Sequence, residues 1–211
     1  QKPADYARRR TKIIAEIFQT EANYVNELNC VNEHFSEEFF RDLKINENVY
    51  RRTFKSIGEI SPVHKQFLKA LAPVGHAIES SVGKVFLKYY SLFKVASPHV
   101  CNFASVNDEI NELIHTNRSF SNSVAKVLEN FFDGKTIESI LVSPVQRLPR
   151  YPLLLRDLLK CTSELHWDYM DIKTSLNNIN KLVQDMDAKK REQDELNFVA
   201  DLQAKIGSQY Q

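Results

Sequence analysis

Apolar residues recur every three or four positions along most of this chain, and that periodicity is the strongest constraint on its fold. The first such stretch runs from Tyr6 to about Asp42 and contains Ile14, Ile17, Phe18, Val25 and Leu28. In a helix this spacing places the apolar side chains on one stripe. It returns over residues 46–71, 106–132 and from Asp168 to about Lys205, while strand-like alternation never extends far. The sequence therefore predicts an all-α fold, an elongated bundle of about six long helices.

Charge and cysteine content narrow the class of protein. The 211 residues carry a net charge of +1, which gives no electrostatic case for binding nucleic acid or a membrane surface. Three cysteines lie far apart, as expected for reduced thiols in a cytoplasmic protein. No apolar run approaches the roughly 18 residues of a transmembrane segment. Because the chain begins with Gln, we expect a fragment of a larger protein, folded as one domain over residues 1–211.

The sequence gives little support for a catalytic or metal-binding site. The six histidines are scattered singly, without the spacing of zinc ligands. His64 falls on an apolar helical face, which predicts a core histidine with a satisfied hydrogen bond. No hydrolase, kinase or phosphate-loop motif occurs. We therefore expect no metal, no cofactor and no reaction chemistry performed by the domain itself.

Glu21 interrupts the first apolar stripe. A carboxylate among core-facing residues is costly unless it is paired or exposed. One interpretation is that the helix end protrudes, so that Glu21 is solvated, or that Glu21 pairs with a nearby Lys or Arg. The other is that Glu21 is a recognition carboxylate at the edge of a groove.

The segment LVSPVQRLPRYPLLLRDLL, residues 141–159, places three prolines inside leucine-rich sequence. Ser143 and Pro144 can serve as the N-cap and first residue of a helix, where proline is harmless. Pro149 and Pro152 then lie inside the helix or at a break. We expect Leu153 to Leu155 to face the core. The pattern alone leaves open a simple kink or a functional surface carrying Gln146, Arg147 and Arg150.

Four segments together resemble the Dbl homology (DH) domain, the exchange module of Rho-family guanine-nucleotide exchange factors. TKIIAEIFQTEANYVNELNCV resembles its first conserved region, through Thr20, Glu21, Tyr24, Val25 and Leu28. FKSIGEISPVHKQFLKAL resembles the second region, and LVSPVQRLPRYPLLLRDLLKCT the third and most specific one. HWDYMDIKTSLNNINKLVQDMD resembles the closing helix. The resemblance covers essentially the whole chain and implies an elongated helical bundle.

The resemblance also implies an activity and a binding surface. Such a domain binds a Rho-family small GTPase, reshapes its two switch segments and releases GDP so that GTP can enter. Glu21 resembles the glutamate that holds switch I, with a role in exchange and none in stability. Arg150 occupies the position that faces switch II, and Gln146 and Pro149 fall on the same surface. A pleckstrin homology (PH) domain normally follows in the family, but this chain ends before one.

Two positions bear on partner choice and activity. Val142 falls where the family reads a residue that differs between GTPase subfamilies, and a β-branched side chain there leans towards Rac-like partners. Asp187 stands where the family commonly has an Asn that meets switch II. An Asp accepts hydrogen bonds but cannot donate as the amide does. The alternative function is therefore a helical scaffold that binds partners without accelerating exchange.

Overall fold

The computed structural model describes residues 3–73 and 81–209. These residues form nine α-helices, a π-helical turn at Arg51–Lys55 between α3 and α4, and a 3₁₀ helix at Tyr90–Ala96 between α5 and α6. The α-helices are α1 (Pro3–His34), α2 (Glu37–Asp42), α3 (Glu47–Tyr50), α4 (Ser56–Leu71), α5 (Val82–Tyr89), α6 (Ser97–Thr116), α7 (Arg118–Phe131), α8 (Ile137–Lys160) and α9 (Tyr169–Gln209). No strand occurs in either of these two ranges. The predicted all-α class is confirmed.

Helix lengths match the expected number of long helices. The six longest are α1, α4, α6, α7, α8 and α9, of which α9 has 41 residues and measures about 60 Å at 1.5 Å per residue. The apolar pattern did not indicate two of the helix boundaries. Ser36 caps α2 after α1 ends at His34, and Asn117 caps α7 after α6 ends at Thr116. No helix in the described ranges has the length and apolar character needed to cross a membrane.

The proline-rich segment is one continuous helix. α8 begins at Ile137, where Thr136 is the N-cap and its hydroxyl accepts from the Ser139 N–H at 3.2 Å. The expected start at Ser143–Pro144 is therefore wrong, and all three prolines lie inside the helix. Pro144 and Pro152 are buried and Pro149 is exposed. Packing of the buried face holds the helix together despite the backbone hydrogen bonds that the prolines remove.

Aromatic side chains and a buried histidine join the helices at the centre of the bundle. The fully buried ring of Tyr151 on α8 lies 5.3 Å from the rings of Phe86 and Phe93, measured between centroids. His99 on α6 donates from Nε2 to the Leu141 carbonyl at 2.8 Å, and its Nδ1 lies 3.0 Å from the Ser56 hydroxyl. Burial lowers the pKa of His99, so the imidazole is neutral and can accept from Ser56. This histidine links α4, α6 and α8.

A second polar contact fixes the start of α9. The buried carboxylate of Asp168 accepts from Arg10 of α1 at 3.3 Å, from the Ser81 hydroxyl at 2.9 Å and from the Gly83 N–H at 3.1 Å. Gly83 lies against the backbone of α9, since a Cβ there would stand 2.5 Å from the Ile172 nitrogen. The close approach of α5 to α9 therefore requires glycine at this position.

Gly83→Ala should destabilise the fold by about 1–3 kcal/mol, because neither helix backbone can yield to the added methyl group. Chemical denaturation monitored by circular dichroism measures the change. Gly58→Ala in α4 is the matched control. Its Cβ would meet only the side-chain oxygen of Asn32, at 2.8 Å, which can rotate away. We expect that substitution to stay within about 1 kcal/mol of the wild type. Equal losses in the two variants would contradict the backbone contact.

Candidate GTPase-binding site

Glu21 is the centre of a buried polar cluster. Its side chain has 0% exposure and accepts hydrogen bonds from residues of two other helices. His64 of α4 donates from Nδ1 to one carboxylate oxygen at 2.7 Å, and Tyr151 of α8 donates its hydroxyl to the other at 2.6 Å. The predicted core position of His64, with a satisfied hydrogen bond, is confirmed.

Arg147 supplies the charge that balances Glu21. Its Nε lies 3.1 Å from the Glu21 carboxylate and 3.1 Å from the Tyr151 hydroxyl, and its Nη2 also donates to Glu21. The guanidinium carbon sits 4.7 Å from the Tyr151 ring centroid and 5.6 Å from that of Tyr24. Two aromatic faces and one carboxylate thus enclose an almost fully buried cation. We call Glu21, His64, Arg147 and Tyr151 the buried cluster.

Electrostatics keep Glu21 ionised inside the protein. Burial by itself raises the pKa of Glu21, but the His64 hydrogen bond and the Arg147 charge outweigh it, so the net pKa lies below the ordinary value. Burial, followed by the negative charge of Glu21, raises the pKa of Tyr151 well above its ordinary value. The hydroxyl therefore remains a proton donor to the carboxylate.

The surface position expected for Glu21 is therefore wrong. Of the interpretations left open by the sequence, pairing with an arginine is confirmed, while a solvated helix end and a carboxylate at a groove edge are contradicted by its burial. Removal of a fully buried carboxylate cannot leave stability unchanged, because Arg147 would remain buried without its counter-ion. Arg147 likewise faces inwards instead of joining Gln146 and Arg150 on the surface.

One face of α8 carries the other expected site residues of that helix. Gln146, Pro149 and Arg150 are exposed and Val142 is half-buried; their helical spacing places all four on one side. Leu153 belongs to the same side and is 57% exposed, so its expected place in the core is wrong, whereas Leu154 and Leu155 are buried as expected. The exposed side chains of Leu153 and Pro149 give this face apolar surface in addition to the charge of Arg150.

Glu16 is a site candidate that sequence reasoning missed. It lies on the exposed side of α1, and its carboxylate is 3.7 Å from the Arg150 guanidinium, with about half of each side chain exposed. An exposed pair of this kind contributes little to stability, so either charge can turn to a partner at low cost. A signal was available, because Glu16, Thr20, Asn23 and Glu27 recur at helical spacing opposite Glu21.

These two faces enclose a groove of about 530 Å³. Polar side chains line it: Thr20, Asn23, Tyr24 and Glu27 of α1, Lys135, and Ser139, Ser143, Gln146, Arg147 and Arg150 of α8. Glu27 forms an ion pair with Lys135 at the end opposite Arg150. We call this feature the α1–α8 groove. The buried cluster lies directly behind it, since Tyr24 and Arg147 belong to the wall of the groove and contact each other.

Asp187 takes no part in these hydrogen bonds and ion pairs. It is exposed on α9 and forms no hydrogen bond or ion pair with the residues for which the structure gives side chains. Its part in partner binding stays a prediction.

The described residues thus form a helical bundle with a polar groove between α1 and α8. The chain matches the family model of the RhoGEF domain over residues 13–187. It therefore belongs to the RhoGEF domain family, and the predicted Dbl homology identity is confirmed.

Individual relatives agree with this assignment. The chain is 34% identical over 186 residues to RhoGEF domain-containing protein gxcJ of Dictyostelium discoideum. This alignment covers 87% of the chain and 15% of that protein. It is 29% identical over 208 residues to Guanine exchange factor for Rac 30 of the same organism, covering 96% and 12%. The chain thus spans a small part of these relatives' lengths.

Solved structures share the fold. The linker and DH/PH domains of p115-RhoGEF superpose with a TM-score of 0.85 at 19% identity, covering 93% of this chain and 61% of that one. The DH/PH fragment of PDZRHOGEF, crystallised in complex with human RhoA, gives a TM-score of 0.82 at 16% identity, covering 90% and 56%. These likenesses establish the fold of a DH domain.

Glu21→Gln should lower the free energy of unfolding by about 3–5 kcal/mol at neutral pH, because it leaves Arg147 buried without a counter-ion. The pKa of Glu21 is depressed in the folded state, so ionised Glu21 stabilises the fold fully above its unfolded pKa of about 4.5 and loses that contribution as the pH falls through the folded pKa. The stability difference between wild type and variant should therefore shrink in acid. Urea titrations across the pH range measure it.

Glu16→Gln is the control for this prediction, since that carboxylate is half exposed. We expect its effect to stay within about 1 kcal/mol. A Glu21→Gln variant as stable as Glu16→Gln at neutral pH would contradict the buried cluster.

Proposed function

We propose that this domain is a guanine-nucleotide exchange factor for a Rho-family small GTPase and that the α1–α8 groove is its binding surface. Family membership and the names of the relatives support the class of activity. The observation that carries the site is the exposed Glu16–Arg150 pair at one end of a groove lined by hydroxyl and amide groups. Such a surface can hydrogen-bond the backbone of an extended segment of a partner.

The role that the resemblance gave to Glu21 is better assigned to Glu16. A carboxylate that holds switch I must reach solvent, and Glu16 does so whereas Glu21 does not. Glu16 would accept from switch I backbone N–H groups, and Arg150, with Gln146 and Pro149 beside it, would contact switch II. Leu153 extends that surface with an exposed apolar side chain.

Exchange on this surface is a shift of population. The domain accelerates GDP release only if it binds the nucleotide-free GTPase more tightly than the GDP-bound form. Contacts to switch segments supply that difference, because these segments also hold the nucleotide and its magnesium ion in the bound form. The domain thus acts by binding alone, without forming or breaking a covalent bond.

The preferred partner is proposed to be Rac-like. Val142 lies on the same side of α8 as Gln146, is half-buried and is β-branched. Relatives that include Guanine exchange factor for Rac 30 and Rac guanine nucleotide exchange factor JJ point the same way. A cytoplasmic location fits a partner of this kind.

Glu16→Ala and Arg150→Ala should each slow the release of a fluorescent GDP analogue from the cognate GTPase. The loss of a charge-assisted hydrogen bond corresponds to about 1.5–3 kcal/mol, or at least a tenfold lower rate. A panel of Rac-like and other Rho-family GTPases identifies the partner. Unchanged melting temperatures separate loss of binding from loss of fold.

Arg41→Ala is the matched control, because Arg41 forms an exposed ion pair with Glu38 on α2 and does not line the α1–α8 groove. It should retain full activity. Full exchange by both groove variants would refute the site. Binding of nucleotide-free GTPase by the wild type without faster release would instead establish the scaffold function that Asp187 leaves open.

A further inference from the structure

The turn between α8 and α9 carries an exposed apolar surface at one end of the bundle. Leu165 is 96% exposed, Met170 61% and Trp167 48%. We call these three residues the α8–α9 tip. Leu165 lies in a tight turn, where the His166 N–H donates to the Ser163 carbonyl and the Tyr169 N–H to the His166 carbonyl, both at 2.9 Å. The tip is therefore a projection formed by a hydrogen-bonded backbone.

The carboxylate of Asp168 in the same turn points into the protein. Asp168 is fully buried and holds Arg10, Ser81 and Gly83, while its own N–H donates to His166 Nδ1 at 3.0 Å. These contacts anchor the turn to α1 and α5. Trp167, stacked on His166 with centroids 5.3 Å apart, is thereby held towards solvent. Folding leaves this apolar surface uncovered instead of burying it.

Basic side chains lie at the same end of the bundle as the tip. The Lys84 ammonium lies 5.8 Å from the centroid of the Trp167 ring. The contact between Arg10 and Asp168 brings the first turns of α1 to the same end, and those turns expose Arg8, Arg9 and Lys12. Asp5 and Glu164 are the exposed carboxylates in these two segments, Asp171 beside Met170 is half-buried, and Glu164 accepts from the Tyr169 hydroxyl at 3.4 Å. The local balance is thus positive, although the whole chain carries only +1.

We propose that the α8–α9 tip binds an anionic membrane surface. Leu165 and Met170 would enter the acyl boundary, and the Trp167 ring would lie at the headgroup level, where amphipathic rings are most stable. Lys84, Arg8 and Arg9 would face the lipid phosphates, and each cation near such a surface adds to its attraction. The basic side chains at the same end complement the negative charge of a lipid surface, which favours a membrane over a protein partner.

This surface is separate from the α1–α8 groove, so the inference does not depend on the proposed exchange activity. Membrane binding through the tip would leave the groove free. The net charge of +1 does not indicate membrane binding, because it does not show where on the surface the charges lie.

Trp167 provides a direct probe, since it is the only tryptophan in the chain. On addition of phosphatidylcholine–phosphatidylserine vesicles, its emission should shift to shorter wavelength and gain intensity. Vesicles of phosphatidylcholine alone should give a smaller change, and raised salt should weaken the response through screening. An emission spectrum unchanged by the anionic vesicles would overturn the proposal. That result would favour a protein-docking surface instead.

Leu165→Glu and Met170→Glu should each reduce the vesicle partition coefficient by roughly tenfold or more, as measured by co-sedimentation. Leu92→Glu is the control, because Leu92 is 46% exposed on the 3₁₀ helix that follows the far end of α5. It should bind vesicles like the wild type. A loss in Leu92→Glu equal to that in Leu165→Glu would contradict the tip. Melting temperatures and solution exchange rates of the tip variants should stay at wild-type values.

Discussion

The ion pair between Glu21 and Arg147 is the interaction on which the rest of this structure depends. It joins two helices across 126 positions of the chain and is completed by His64 from a third. Charges this deeply buried are tolerated only when each finds its partner. The cluster therefore joins α1, α4 and α8 at one point inside the apolar core. That placement also forms the α1–α8 groove directly in front of the cluster, with Arg147 in its wall.

The inner and outer sides of α1 have different roles. One side holds Glu21 and the apolar stripe, and the other presents Glu16, Thr20, Asn23 and Glu27 to the groove. α8 repeats this pattern, with Arg147 and Tyr151 inside and Gln146 and Arg150 outside. Adjacent residues in sequence thus serve different purposes. Substitutions on the inner sides should act through stability, and those on the outer sides through binding.

The sequence predicted the helical class well because amphipathic periodicity is a local property that packing seldom overrides in long helices. It also identified Glu21 as unusual. It could not tell that Glu21 is buried, because the compensating charge lies on a helix far away in sequence. Leu153 was misplaced for a related reason, since a leucine on a helix can face solvent wherever no neighbouring helix covers it. The start of α8 was missed because Pro144 resembled a first-turn proline, although Thr136 supplies the cap.

The central claim is that Glu16 and Arg150 meet the GTPase while Glu21 stays inside and fixes their positions. A crystal structure of this domain with its nucleotide-free GTPase tests that claim most directly. The account predicts switch segments in the α1–α8 groove, direct hydrogen bonds to Glu16 and Arg150, and Glu21 still bonded to Arg147, Tyr151 and His64. A complex in which Glu21 turns outwards to hold the GTPase, or in which the groove is empty, would contradict it.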